Sequence, residues 1–448
     1  GREQVVDGGA KVFMHGRKSN GMRRGSRRRP SPGLWFYSRG MDRFSWPAIV
    51  ALSAIVMVAF GAMFYGFSVF LTVDAAGADF STTVLSLGYG GAALVGGLLA
   101  FPVGRFADRH GVRSVFAAGS LFGFAGLVAF SYAQEPWHVL AAWWLLIGPA
   151  GAMTYYEPAF IAVDQWFSAK QRPRALATLT VIGGISGTIF IPLTERLVAW
   201  FGWRGAAVTL GGILLLVGWI GALGFLPAGA GRAEQSRGAP FSLRSLLSER
   251  RFVLYTIGML LSFGTMQSIM THRVARFEEA GFAVASVAVW AAVASALSLP
   301  GRYASPFVAG RRKPTSVHAA GMVALAIALA LVVVVDAKWQ MGTHFIVFGL
   351  SFGVMLPLRA MVMSSWYSGA AYGRVMGVQW SFAAVLGAAG PAGIGILRDS
   401  AGTYEIPMAV LTVAMCIAAA ATWVSGRGTT DLRGARPDAA AGPTGGRE

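Results

Sequence analysis

The feature that most constrains this chain is the recurrence of apolar runs near twenty residues long, parted by short polar connections. A helix of that length just crosses the hydrocarbon core of a bilayer, which is about 30 Å thick. In lipid a backbone must satisfy its own hydrogen bonds, so the runs are helices and not isolated strands. Twelve are read, at roughly 46–73, 82–103, 115–133, 137–165, 173–198 and 205–227, then 252–272, 283–300, 315–335, 340–365, 373–397 and 404–425. The expected fold class is an all-α membrane protein, with twelve transmembrane helices in two six-helix bundles related by pseudo-two-fold symmetry. Residues 1–44 form a basic cytoplasmic tail without order, 45–227 the first bundle and 228–251 a cytoplasmic linker. Residues 252–425 form the second bundle and 426–448 a disordered C-terminal tail. Phe241, Leu243, Leu246 and Leu247 predict a short surface helix in the linker.

Composition agrees. Over 448 residues 55% are hydrophobic and only 13% charged, which excludes an ordinary soluble domain. A net charge of +18 would by itself suggest a nucleic-acid partner, but its distribution argues otherwise. The great majority of the 38 Lys and Arg fall in the tails and in alternate connections, all on one side of the span pattern. Such asymmetry places both termini in the cytoplasm, with the chain in a plasma or bacterial inner membrane. The basic surface, including Arg23-Arg24 and Arg27-Arg28-Arg29, then faces anionic lipid, and nucleic acid is not a partner. The run 46–73 is too long for the apolar region of a signal peptide. Cys416, the only cysteine, reads as packing.

Between the second and third runs lies Gly104-Arg-Phe-Ala-Asp108-Arg109-His-Gly111-Val-Arg113, too charged to sit within the core. It is expected as a tight surface turn that makes its two helices antiparallel neighbours. Gly104, Asp108, Arg109, Gly111 and Arg113 at this spacing resemble the signature loop between helices 2 and 3 of the major facilitator superfamily. An internal repeat runs in register with it. Gly104-Arg-Phe-Ala-Asp108 returns as Gly301-Arg-Tyr-Ala-Ser305, Trp166-Phe167 as Trp366-Tyr367, and Gly187 as Gly387. Two repeated halves are the architecture of a rocking carrier with its site between them. The resemblance covers about residues 46–425 and implies alternating access, with a small-molecule substrate, membrane lipid and a coupling proton as partners. A monomer suffices for that architecture.

A narrower likeness follows. Trp166-Phe167, Arg172, Arg174-Ala175-Leu176-Ala177, Gly183-Gly184 and Gly187 resemble the fifth-helix signature of the monocarboxylate porter branch and its oxalate/formate relatives. Tyr65-Gly66-Phe67-Ser68 and Phe201-Gly202-Trp203-Arg204 resemble it too. Carboxylate carriers of that branch commonly place an arginine in helix 8, whereas 283–300 holds no charged residue.

Ionisable groups within a span are costly, and so are candidates for function. Glu157, in Tyr155-Tyr156-Glu157-Pro158, suits a carboxyl that takes up and releases a proton. Arg359 is read as the one basic residue inside a span, either gripping an anion or neutralising Glu157. In the repeat Glu157 aligns with Pro357, which sets Arg359 about 200° further round its helix at 100° per residue. The two are therefore not required to face one cavity. Tyr65, Tyr89, Gln267, Gln379 and Trp380 are the other expected cavity residues. For the gate, Asp164 is expected to pair with Arg109 or Arg113, and Asp108 with the helix start near Arg374. Ser305 makes the matching contact of the second half weaker. Glycine lines in 82–103, 173–198 and 373–397 allow close helix approach.

There are no nucleotide-binding glycine patterns and no metal-ligand spacing among the six histidines, so no metal, cofactor or enzymatic chemistry is expected. The leading reading is a secondary active transporter of a small organic anion, a carboxylate, by proton symport or anion exchange. A proton-coupled exporter of amphipathic, drug-like compounds is the alternative. A membrane sensor that moves nothing is the third.

Overall fold

A computed structural model describes residues 46–71, 76, 79–228, 242–367 and 371–427. The two expected tails and linker residues 229–241 lie outside them, apart from Gly426 and Arg427. Twelve long helices lie among the described residues: α1 (Trp46–Phe70), α2 (Thr82–His110), α3 (Arg113–Ser131), α4 (Pro136–Trp166), α5 (172–201) and α6 (203–225), then α7 (Arg250–Glu279), α8 (Val284–Arg311), α9 (Pro314–Val333), α10 (Lys338–Tyr367), α11 (Tyr372–Ala401) and α12 (Glu405–Ser425). Ten stretches are long and apolar enough to cross a membrane; α5 and α6 together make one of them, and α8, with Pro300, Arg302 and Pro306 in it, falls short. Helix runs from Arg172 to Phe225 with one turn residue, Ile185, within it, but 54 residues would stretch about 80 Å at 1.5 Å each. Gly202 divides it, with φ 66° and ψ 173°, a conformation only glycine adopts easily. In the linker, Leu243–Ser248 forms the short helix expected there, capped by the Ser242 hydroxyl on the Ser245 amide.

Several helices outrun their apolar cores, and this corrects the sequence reading. α2 does not stop at residue 103 but continues through Gly104, Arg105, Asp108 and Arg109 to His110. The supposed turn is thus the last two turns of a helix, and only Gly111 and Val112 connect it to α3. None of these residues breaks a helix until Gly111, whose φ of 82° does so. α7 likewise carries on to Glu279, and α8 runs past Pro300 and Pro306 to Arg311. These extensions bring Arg273, Arg276 and Arg302 into helices, so Arg359 is not the one basic residue within a span.

α4 is interrupted. A wide turn spans Ala142–Ile147, and Tyr155, at φ −80° and ψ −162°, is extended; a new helical segment begins at Tyr156. α1 holds a second wide turn at Gly61–Tyr65. Such turns shift the side-chain register that follows. α10 is helical throughout.

One apolar core lies wholly within α1–α6, around Met63, Phe130, Trp143 and Leu210. The other includes Phe160, Ile161 and Leu176 of the first half together with Tyr255, Met363 and Met376 of the second, so the halves share it. Large apolar side chains such as Leu98, Leu145, Leu216 and Ile396 are exposed, as lipid-facing positions require. The end of the spans that carries Asp108 is here called the signature face.

Candidate functional site

The seam between α2 and α11 is the closest approach between the halves. A Cβ built on Gly104 would stand 2.2 Å from the Gly373 carbonyl oxygen, and one on Gly377 would stand 2.4 Å from that of Ala100. Glycine is required because the backbones themselves touch. Further along, Ser381 Oγ donates to the Gly97 carbonyl at 2.6 Å. Asp108, 5% exposed, closes the seam: its Oδ1 accepts from the Gly373 amide and its Oδ2 from the Arg374 amide, both at 3.0 Å. The Arg374 guanidinium stands 3.8 Å from Oδ2. An anion on the free amides of a helix start is a favourable pairing in charge and hydrogen bonding alike.

The other gate residues fall differently. Asp164 does not pair with Arg109 or Arg113. It faces Arg172, with Nη2 to Oδ1 at 2.9 Å, because the chain turns at Phe167 and brings Arg172 back over the end of α4. Arg113 donates to the Leu223 carbonyl at 2.8 Å, and Arg109 is exposed.

Deeper in, Glu157 and Arg359 meet. Arg359 Nη1 donates to Glu157 Oε1 at 2.6 Å, one of the two roles expected for it, although the angle read from sequence did not require the meeting. That angle assumed two regular helices, whereas α4 restarts at Tyr156 and its register is its own. Arg359 is 1% exposed, and each of its three nitrogens donates one hydrogen bond. Its Nε donates to Gln379 Oε1 at 2.8 Å, its Nη2 to the Met376 carbonyl at 3.2 Å, and its guanidinium lies 4.9 Å from the Trp380 ring centre. Gln379 reaches on to Thr256 Oγ1 at 3.4 Å. Glu157 Oε2 is buried with no hydrogen-bond partner. A buried ion pair of this kind repays the cost of desolvation only through such close geometry.

A cationic residue missed from sequence is Arg302 of α8. Its guanidinium faces the hydroxyls of Tyr156 and Tyr65, its Nη1 lies 3.4 Å from the Thr180 carbonyl, and its Nε is buried without a partner. The α5 glycines make room for this group. A Cβ on Gly183 would stand 2.3 Å from Tyr156 Oη, on Gly184 3.1 Å from Arg302 Cδ and Nε, and on Gly187 2.8 Å from the Tyr65 ring. That stripe clears space for three polar side chains as well as packing helices. Recurrence of Arg105 as Arg302 in the repeat was the available signal; the error lay in ending the span at Pro300.

Of the remaining candidates, Tyr155 stacks on Phe60 at 4.1 Å and Tyr89 on Phe67 at 4.5 Å, both within the first half. Trp380 packs against Phe263 at 5.0 Å. Gln267 is half-buried, and its backbone carbonyl accepts from Thr271 Oγ1.

The profile of the Major Facilitator Superfamily matches residues 51–391. Monocarboxylate transporter 13 of the rat is 26% identical over 317 residues, which cover 69% of this chain and 72% of the relative. Among solved structures, the E. coli fucose:proton symporter aligns with a TM-score of 0.68 at 14% identity, over 86% of this chain and 99% of that one. The human organic anion transporter MFSD10 aligns at 0.64 with 17% identity, over 84% and 98%. At such identities the structural likeness speaks for the fold alone, and it matches the two six-helix halves described above. Because the profile takes in most of the twelve spans, the chain belongs to the Major Facilitator Superfamily and is a membrane transporter.

Proposed function

We propose that the chain carries a small organic anion, a carboxylate, by alternating access coupled to protonation of Glu157. The observation that carries this reading is the buried Arg359–Glu157 pair, 2.6 Å long, which ties α4 of one half to α10 of the other. Arg359 has no room for a substrate, so the anion contact falls to Arg302, beside Tyr156 and Tyr65. An anion held there is the cargo whose binding is coupled to protonation of Glu157. Protonation cancels the charge that holds Arg359 and loosens the halves, so that tilting follows cargo and proton together. With the signature face cytoplasmic, the arrangement described here is closed to the cytoplasm by the α2–α11 seam. The monocarboxylate carriers to which the chain is similar support the substrate class.

Uptake of labelled short carboxylates into liposomes tests the reading. Wild type should accumulate at least one of them in response to an inward pH gradient, and Arg302→Gln should lower that uptake by about tenfold or more. No carboxylate moved by wild type would overturn it. Resistance to hydrophobic amines in cells overproducing the protein would then favour the export reading.

A further inference from the structure

α10 carries a ladder of aromatic rings, and two guanidinium groups stand beside it. Phe348 and Phe352 stack at 5.7 Å with their planes 15° apart, one helical turn from each other. The Arg302 guanidinium lies 5.9 Å from the Phe352 ring centre. That of Arg273, on α7, lies 5.2 Å from Phe345 and 5.3 Å from Phe348. Arg273 therefore sits about a turn further from the signature face than Arg302, along the same face of α10.

Arg273 is 9% exposed, makes no hydrogen bond or ion pair among the described residues, and its Nη1 is fully buried. The contrast with the neighbouring Arg276 is instructive. Arg276 donates to the Val332 and Val333 carbonyls at 2.9 and 2.8 Å and caps the end of α9. That is a structural arginine with its donors satisfied. Arg273 has only ring faces, and cation–π attraction offsets a part of the cost of taking a guanidinium out of water. Its head is held against α10, although the end of α7 at Glu279 is close enough for an unconstrained side chain to reach toward water. Five donors on a fixed planar fork, without an acceptor, suit a carboxylate.

We propose that Arg273 binds a second carboxylate group, above the one held by Arg302. This rests on the reading of Arg302 as the anion contact. The group belongs either to the far end of a dicarboxylate or to a second monocarboxylate molecule waiting one step behind the first.

Calorimetric titration of the purified, detergent-solubilised protein separates these sources. The probes are succinate and its monoamide, applied to wild type, Arg273→Gln and Arg302→Gln. If one molecule spans both arginines, wild type binds succinate about 10- to 100-fold more tightly than the monoamide, and Arg273→Gln abolishes that preference without changing monoamide affinity. If two molecules queue, wild type takes up two monoamides per chain and Arg273→Gln takes up one. Either result supports the proposal. Unchanged affinity and stoichiometry in Arg273→Gln, with Arg302→Gln still weakening both probes, would overturn it and leave Arg302 standing. Wild type that binds neither probe would overturn both. Should Arg273→Gln fail to fold, Arg273→Lys serves. It keeps the charge but loses the fork, so the succinate preference or the second monoamide should weaken by about threefold or more, and no change would overturn the proposal.

Discussion

On the signature face the α2–α11 seam and the α5–α8 seam join the same two halves and draw on related sequence, yet they differ in material. Along α2–α11, backbone meets backbone at Gly104–Gly373 and Ala100–Gly377, and Asp108 fastens the end. Along α5–α8, contact is made through side chains: Arg302 toward the Thr180 carbonyl, and the Pro173 ring, whose Cγ would stand 3.3 Å from a Cβ on Gly310. Ser305 takes the place of the acid, and its buried hydroxyl has no partner. The second copy of the glycine has moved to other work. A Cβ on Gly301 would stand 2.3 Å from the Leu350 carbonyl, so Gly301 packs α8 on α10 within its own half. A repeated motif thus repeats the backbone but not the latch. One seam is a charged fastening, while the other leaves a guanidinium available to the site.

The largest expected effect is at the glycines. Gly104→Val should force the two backbones apart and lower liposome uptake by about 30-fold or more, with thermal stability falling less. Gly301→Val should do the reverse, costing about 1–3 kcal/mol of stability by overpacking one half. Uptake and thermal unfolding on both variants check this, and equal profiles would break the comparison. Next is Asp108→Asn, which keeps an acceptor but loses the charge; uptake should fall about tenfold, whereas Ser305→Ala should stay within about twofold because no hydrogen bond is lost. Asp164→Asn should act more weakly than Asp108→Asn, by about threefold, since Arg172 also donates to the Asp164 and Phe167 carbonyls at 3.0 and 3.2 Å and keeps its place.

These contrasts also mark how far sequence could see. The apolar runs, the doubled halves and the acid at Asp108 beside the start of α11 were legible, because length, periodicity and charge are local properties. Glu157 was legible as a buried acid for the same reason. Helix ends were not. Asp108 and Arg109 were read as loop, and Arg302 as outside its span, because apolarity stops where helical hydrogen bonding does not. The meeting of Glu157 with Arg359 was legible only as one of two roles for Arg359, since the choice depends on an extended residue at Tyr155 that composition does not announce. Asp164 found Arg172 and not the signature arginines because chain reversal, set by Phe167, decides which cation comes back over the helix end.

The smallest effect lies far from both seams and serves as their control. Asp79 binds Arg204 Nη1 at 2.5 Å and Trp203 Nε1 at 2.9 Å, inside the first half, and these donors, Arg204 foremost, hold its carboxyl below the usual range. A depressed group stabilises above its unfolded value near 3.9 and loses that contribution as pH falls through the folded one. The difference in melting temperature between wild type and Asp79→Asn should therefore be the same at about pH 7.5 and pH 5.5, and shrink only below about pH 4. Any pH response of transport in that upper window must arise elsewhere than at Asp79, and proton coupling is proposed to run through Glu157.

Glu157→Gln in liposomes, with exchange and gradient-driven uptake measured side by side, tests that claim most directly. A neutral amide imitates the protonated acid, so the variant should still exchange labelled for unlabelled carboxylate across the membrane while failing to accumulate it in response to a pH gradient. Accumulation driven by pH as strongly as in wild type would contradict the account.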